Sequence, residues 1–294
     1  MKRNAVQTKG MNYLDEGMDV FRKIWKNPVL FVPDALMIAL GFILGRIFYL
    51  LNFNSAVSAA SAAGSFSISM FQQVFATHWL RAIISGGVMI FMMFFAGAGA
   101  DVLKFNMIKD LLKRNTTDFK SAWNEKEKFY FKVVWFKILT AALQTFGWAV
   151  GISLGIVAYR SSSVYTSLAL GAAALLWIIG YSVAVKLGLL LSYPLMFSKK
   201  KLSAFEVIKD SFIISLKNKK HIVITWIACI AASFFIFMCG ILATGVAAKA
   251  LEVSGIESLI PIIGRLGGYA ISIASSLWIS VFVFVSYLKK PKAK

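Results

Sequence analysis

The chain has 294 residues, of which 59% are hydrophobic and only 15% charged. Soluble domains run nearer half apolar and a quarter charged, so this balance argues against a soluble enzyme. The formal net charge of +19 would be a nucleic-acid footprint in a soluble protein, but here membrane topology has first claim on it.

Six apolar runs are long enough to cross a hydrocarbon core about 30 Å thick at about 1.5 Å of rise per helical residue. They cover residues 29–51, 80–103, 130–158, 165–191, 221–247 and 266–288. The chain therefore reads as one all-α integral membrane domain over residues 1–294. Residues 1–27 are polar and basic, and no small-residue cleavage site follows, so the first span is expected to be retained. Lys and Arg number six in residues 1–28, nine in 104–137, seven in 198–220 and four in 289–294. The opposite side carries only Arg81, Arg160, Lys249 and Arg265. Basic residues collect on the cytoplasmic side, so both termini and both long basic loops are expected to be cytoplasmic, in a plasma-membrane protein. The charge then needs no nucleic-acid partner. Residues 52–78 carry no Lys, Arg, Asp or Glu and are rich in Ser and Ala, a composition compatible with a surface helix or a mobile loop. Spans three and four are joined by Arg160-Ser161-Ser162-Ser163, which implies a tight hairpin.

The segments before spans one and five match at a constant offset of 191 residues: Asn12 with Ser203, Asp15 with Glu206, Asp19 with Asp210, Phe21 with Phe212, Lys26-Asn27 with Lys217-Asn218. Both open on a helix-capping pattern, Asn12-x-x-Asp15 and Ser203-x-x-Glu206. Apolar residues then recur at Leu14, Met18, Phe21 and Trp25, and at Phe205, Ile208, Phe212 and Leu216, each set on one helical face. A weaker copy precedes span three, capped at Thr117-Asp118, with Phe119, Ala122 and Trp123 on its apolar face. These spacings predict amphipathic helices at about 12–27, 117–128 and 203–218 lying along the cytoplasmic interface. Phe21, Trp25, Phe119, Trp123, Phe205 and Phe212 are their anchors. Each helix leads into a pair of spans, so the fold is expected to be three pseudo-repeated units.

The pattern Phe21, Trp25-Lys26-Asn27-Pro28, Phe31 and Pro33 resembles a broad group of six-helix membrane proteins. So does Tyr193-Pro194-Leu195 followed by Ala204-Phe205 and Asp210-Ser211-Phe212. That group includes the membrane domain fused to some glycerophosphoryl diester phosphodiesterases and many bacterial and archaeal families of unknown function. The resemblance implies a fold. It brings no set of functional residues, and the soluble phosphodiesterase barrel has no counterpart in this sequence.

The sequence holds no Walker loop, no HExxH, no GxSxG and no metal-ligand cluster, so no catalytic, cofactor or metal residues are assigned. Cys229 and Cys239 stand about 15 Å apart along a helix, too far for a disulfide, and are expected to pack as buried thiols. His78 and His221 fall on opposite sides of the membrane and cannot share a metal. The ionisable residues within spans are more informative, because a charge in hydrocarbon must find a partner or water. Asp34, Asp101 and Lys186 all fall in the cytoplasmic third, where a pair between Lys186 and either Asp is sterically possible, as is simple snorkelling. Arg46 lies further along span one and can snorkel outward. Gly41 and Gly45, and Gly147, Gly151 and Gly155, recur at intervals of four, a spacing that suits close helix packing or homo-oligomer contact.

The preferred reading is a non-catalytic scaffold, accessory or membrane-organising protein whose basic face contacts anionic lipid, with a protein partner or a second copy as possible neighbours. The alternatives are a small-solute or lipid transporter using the intramembrane charges, and a membrane-embedded enzyme acting on lipid headgroups through Asp34 and Asp101.

Overall fold

The structure, a computed structural model, describes residues 13–63, 68–199, 201–254 and 256–289. Among these all regular structure is helical. In chain order the helices are α1 (Tyr13–Trp25), α2 (Val32–Ala63), α3 (Ile68–Arg114), α4 (Phe119–Asn124), α5 (Glu127–Arg160), α6 (Val164–Leu189), α7 (Ser192–Ser198), α8 (Ala204–Lys217), α9 (Lys219–Val253) and α10 (Ile260–Lys289). Six stretches are long and apolar enough to cross a membrane: Pro28–Asn52, Trp79–Arg114, Glu127–Arg160, Val164–Ser198, Lys219–Val253 and Ile260–Leu288. This is an integral membrane protein of six spanning-length helices. The spans pair as hairpins, α2 with α3, α5 with α6 and α9 with α10.

Several boundaries differ from the sequence expectation, each for a local reason. The second span, expected to end near 103, continues as helix to Arg114. No Gly or Pro interrupts residues 103–114, and the helix stops only at Asn115, whose φ of 57° is the left-handed geometry that Asn tolerates. Most of 52–78 is helical backbone, because α2 runs on to Ala63 and α3 begins at Ile68. The side chains of residues 53–78, His78 included, lie outside the described residues.

The short helix before the third span is α4 alone, Phe119–Asn124, shorter than the expected 117–128. Its cap is Asp118, whose carboxylate accepts from Lys120 N and Ser121 N at 3.2 and 3.0 Å. The chain then turns at Glu125-Lys126 and re-enters helix as α5. Helix α8 starts on the capping box read from the sequence: Ser203 Oγ accepts from Glu206 N, and Ser203 N donates to Glu206 Oε2 at 2.7 Å. Asn12, the cap expected for α1, lies outside the described residues.

The core sits toward one end of the hairpins, the end rich in Lys and Arg. It is built from Val102–Leu111 on α3, Leu191–Phe197 around α7 and Leu277–Tyr287 on α10. Val20 and Ile24 of α1 and Val207 of α8 close it. Aromatic rings tie these segments together: Phe105 stacks on Tyr193 with centroids 4.1 Å apart and lies 5.7 Å from Phe284, and Phe129 stacks on Phe197 at 4.6 Å. Burying each such ring is worth about 1.5–3 kcal/mol where water is the alternative. Half of the most apolar stretch of α10 is buried, against 6 to 17% in the other five spans. Helix α10 is therefore the centre of the assembly, and the other spans turn most of their surface outward.

Candidate functional site

Three polar contacts radiate from consecutive turns of α3 inside the basic end. Lys104 Nζ donates to Asp34 Oδ1 and Oδ2 at 3.0 and 3.2 Å and to Ser276 Oγ at 3.1 Å. This joins α2, α3 and α10 through a lysine whose side chain is only 6% exposed. Asp101, three residues earlier, accepts from Lys137 Nζ at 2.7 Å and from Tyr193 OH at 3.3 Å, joining α3 to α5 and α7. Lys109 donates to Glu125 Oε2 at 2.7 Å and to Asn106 Oδ1 at 3.3 Å, which fastens the turn after α4. Each ammonium faces a carboxylate, as buried charges must. Chemically the column is a set of neutralised electrostatic clasps that hold the three hairpins in register.

The sequence cluster of Asp34, Asp101, Lys186 and Arg46 is only partly brought together. Asp34 and Asp101 do enter ion pairs, but the pair imagined with Lys186 is corrected: their partners are Lys104 and Lys137. Lys186 projects from the exposed side of α6. Arg46 is likewise exposed, with its guanidinium 5.5 Å from the Tyr49 ring centroid. Lys104 stands just past one apolar run and Lys137 in the first turns of another, so both fall within the basic stretch 104–137. The available signal was Val102-Leu103-Lys104-Phe105, a lysine embedded in helix-compatible apolar sequence with no breaker after it.

The short helices carry apolar residues on two faces. In α1, Val20 and Ile24 are buried, while Phe21 and Trp25 are 53% and 77% exposed, with Met18 beside them. In α8, Val207 is buried and Phe205 and Leu216 are exposed. Phe212 is half-buried where it lies over Gly188. In α4, Trp123 is exposed and stacks on half-buried Phe119 at 5.9 Å. Backbone and hydroxyl bonds from Ser203 hold the Glu206 carboxyl below its ordinary range.

Helix α1 is also fastened by polar contacts. Tyr13 OH is hydrogen-bonded with His221 Nδ1 at 3.1 Å, His221 Nε2 lies 2.9 Å from Ser286 Oγ and 3.2 Å from the Ser286 carbonyl, and Trp278 Nε1 donates to Gly17 O at 3.3 Å. Burial, then the nearby Glu16 carboxylate, raises the Tyr13 phenol above its ordinary value.

The glycine spacings divide. A Cβ at Gly147 would run into the Tyr181 ring, and one at Gly151 into Ile178. Trp177 Nε1 donates to Gly147 O at 3.0 Å, and Tyr181 OH to Leu143 O at 2.8 Å, so α5 and α6 meet closely there. Gly41 is in ordinary contact with Met93, whereas Gly45 and Gly155 face open space. Cys229 is buried as expected, but Cys239 is exposed, correcting that expectation: it lies on the outer side of α9. Among the described residues no three of His, Cys, Asp and Glu gather into a metal-binding group. Neither protein-family models, nor curated proteins, nor solved structures give a match to this chain.

Proposed function

We propose that this integral membrane protein is a non-catalytic scaffold or membrane-organising factor whose basic face contacts anionic lipid headgroups. The observation that carries the reading is the pairing, on α1, α4 and α8, of exposed aromatic side chains with the basic segments around them. Such helices lie in the interface with their rings at headgroup depth, and each nearby Lys or Arg adds about 1 kcal/mol of attraction to anionic lipid. The reading places both termini and the basic loops on the cytoplasmic side of the plasma membrane. It treats α1, α4 and α8, each leading into a hairpin, as three copies of one unit, in keeping with the resemblance to the six-helix group.

Two measurements test it. In a Cys229→Ala/Cys239→Ala background, Ser162→Cys should react with an impermeant thiol reagent in intact cells and Asn124→Cys should not. The opposite pattern overturns the orientation. In detergent, phosphatidylglycerol should raise the melting temperature more than phosphatidylcholine does, and added salt should erase the difference because surface charges are screened. Phe21→Ser/Trp25→Ser should reduce the stabilisation. An equal response to both lipids refutes the anionic preference.

A second reading, a small-solute transporter, draws on a cavity of about 500 Å3 between α9 and α10 lined by Ser233, Ser272, Ser275 and Ser276. Ser276 is the hydroxyl bonded to Lys104, so hydroxyls lead from mid-span to a buried ammonium. Solute uptake by vesicles containing the protein, lost in Lys104→Met, is its test.

A further inference from the structure

An apolar recess near the basic end lies between α2, α3 and the start of α5 and has a volume of about 740 Å3. That is within the range of about 300–1,000 Å3 typical of ligand sites. Leu36, Met37 and Leu40 form one wall, with Phe95, Ala96 and Gly99 facing them. Leu36 and Phe131 on its edge are exposed, so the recess opens sideways onto the hydrocarbon instead of enclosing water. An apolar recess offers water too few hydrogen-bond partners to hold it. At this depth an acyl chain is the abundant apolar matter that can fill the space.

The mouth has a specific chemistry. Trp123, Lys126 and Glu127 line it at the basic end. Lys126 Nζ lies 3.3 Å from the Trp123 ring centroid, a cation–π contact that fixes the ammonium. Glu127 is exposed in the first turn of α5, where the helix N-terminus favours a negative charge. A lysine and a glutamate side by side complement a headgroup that carries both a phosphate and a primary ammonium. We infer that this groove holds one aminophospholipid, its acyl chain against Leu36, Leu40 and Ala96, its phosphate on Lys126 and its ammonium on Glu127. The site rests on the lipid-facing reading above, but not on the anionic preference of α1 and α8.

The test is native mass spectrometry of the purified protein after exposure to equal amounts of phosphatidylethanolamine, phosphatidylglycerol and phosphatidylcholine with the same acyl chains. One phosphatidylethanolamine should be retained in preference to either other lipid by about two- to fivefold, the scale of solvent-exposed ion pairs. Glu127→Gln should erase that preference, and Lys126→Ala should lower retention of all three lipids. Ala96→Phe fills the groove and should remove the single-lipid adduct. Leu36→Trp, at an exposed position that does not endanger folding, should do the same. Preference for phosphatidylglycerol or equal retention of the three lipids in the adduct that the filling variants remove, or an adduct that survives both of them, would overturn the assignment. Anionic stabilisation without a phosphatidylethanolamine adduct removes the groove alone. The adduct without anionic stabilisation removes the basic-face reading alone.

Discussion

Removing the Lys104 charge alone should cost more than removing it together with Asp34. The ammonium lies 3.0 and 3.2 Å from the two carboxylate oxygens. At an effective dielectric of about 20 the attraction is about 5 kcal/mol, set against several kcal/mol of desolvation per ion. Lys104→Met leaves Asp34 unpaired with its side chain only 19% exposed. Losing one partner of a buried pair costs about 3–5 kcal/mol, and the residual exposure of Asp34 puts this case at about 3 kcal/mol. For a chain of this size that corresponds to a fall of about 6 °C in melting temperature. Lys104→Met/Asp34→Asn abolishes both charges and should recover at least half of the loss, because neutral replacement of a whole buried pair costs little. Intrinsic tryptophan fluorescence during heating in detergent reads both effects. Lys186→Met is the control: its side chain is exposed, so the change should stay within about 0.5 kcal/mol. A Lys104→Met protein melting within about 1 °C of the parent, or a double variant melting below the single one, refutes the clasp.

Gly147→Ala should destabilise by about 1–3 kcal/mol, since the new methyl group meets the Tyr181 ring, whereas Gly155→Ala meets nothing and should be neutral or stabilising. Equal melting temperatures for the two variants would place the α5–α6 contact elsewhere. The Glu206 carboxyl is held below its ordinary range by Ser203, so its support for α8 is complete above the unfolded-state value and is lost as pH falls through the folded-state value. Ser203→Ala should raise the Glu206 titration toward the ordinary range, as followed by carboxyl-carbon NMR, and an unmoved titration would contradict the capping role.

The six spans were legible because hydropathy is a local property: twenty apolar residues must cross or be covered wherever they fall. The capping box at Ser203 was legible for the same reason, since donor and acceptor are three residues apart. The clasps were not. Lys186 was conspicuous because it interrupts an apolar run, but that run faces outward at that point. Lys104 resembles a topological charge because it stands just past an apolar run, and Lys137 because it lies in the first turns of one, beside the basic stretch 104–132. Their partners lie 70 and 36 positions away in the chain, and no periodicity within one helix reports which face of another it meets. The glycines divided on the same ground. Spacing puts Gly147, Gly151 and Gly155 on one face of α5, but only the path of α6 decides which of them it touches.

The central place of α10 has a consequence for biosynthesis. Each hairpin can pair as soon as its second helix enters the bilayer, since its contacts lie between sequence neighbours. The shared core cannot form then, because Leu277–Tyr287 supplies one of its three sides and emerges after the other five spans. Until α10 arrives, Lys104 also lacks Ser276, and α1 lacks Trp278 to pack against Gly17. The two early hairpins can meet through the Asp101–Lys137 pair, but their shared core stays open on one side until the late helix closes it.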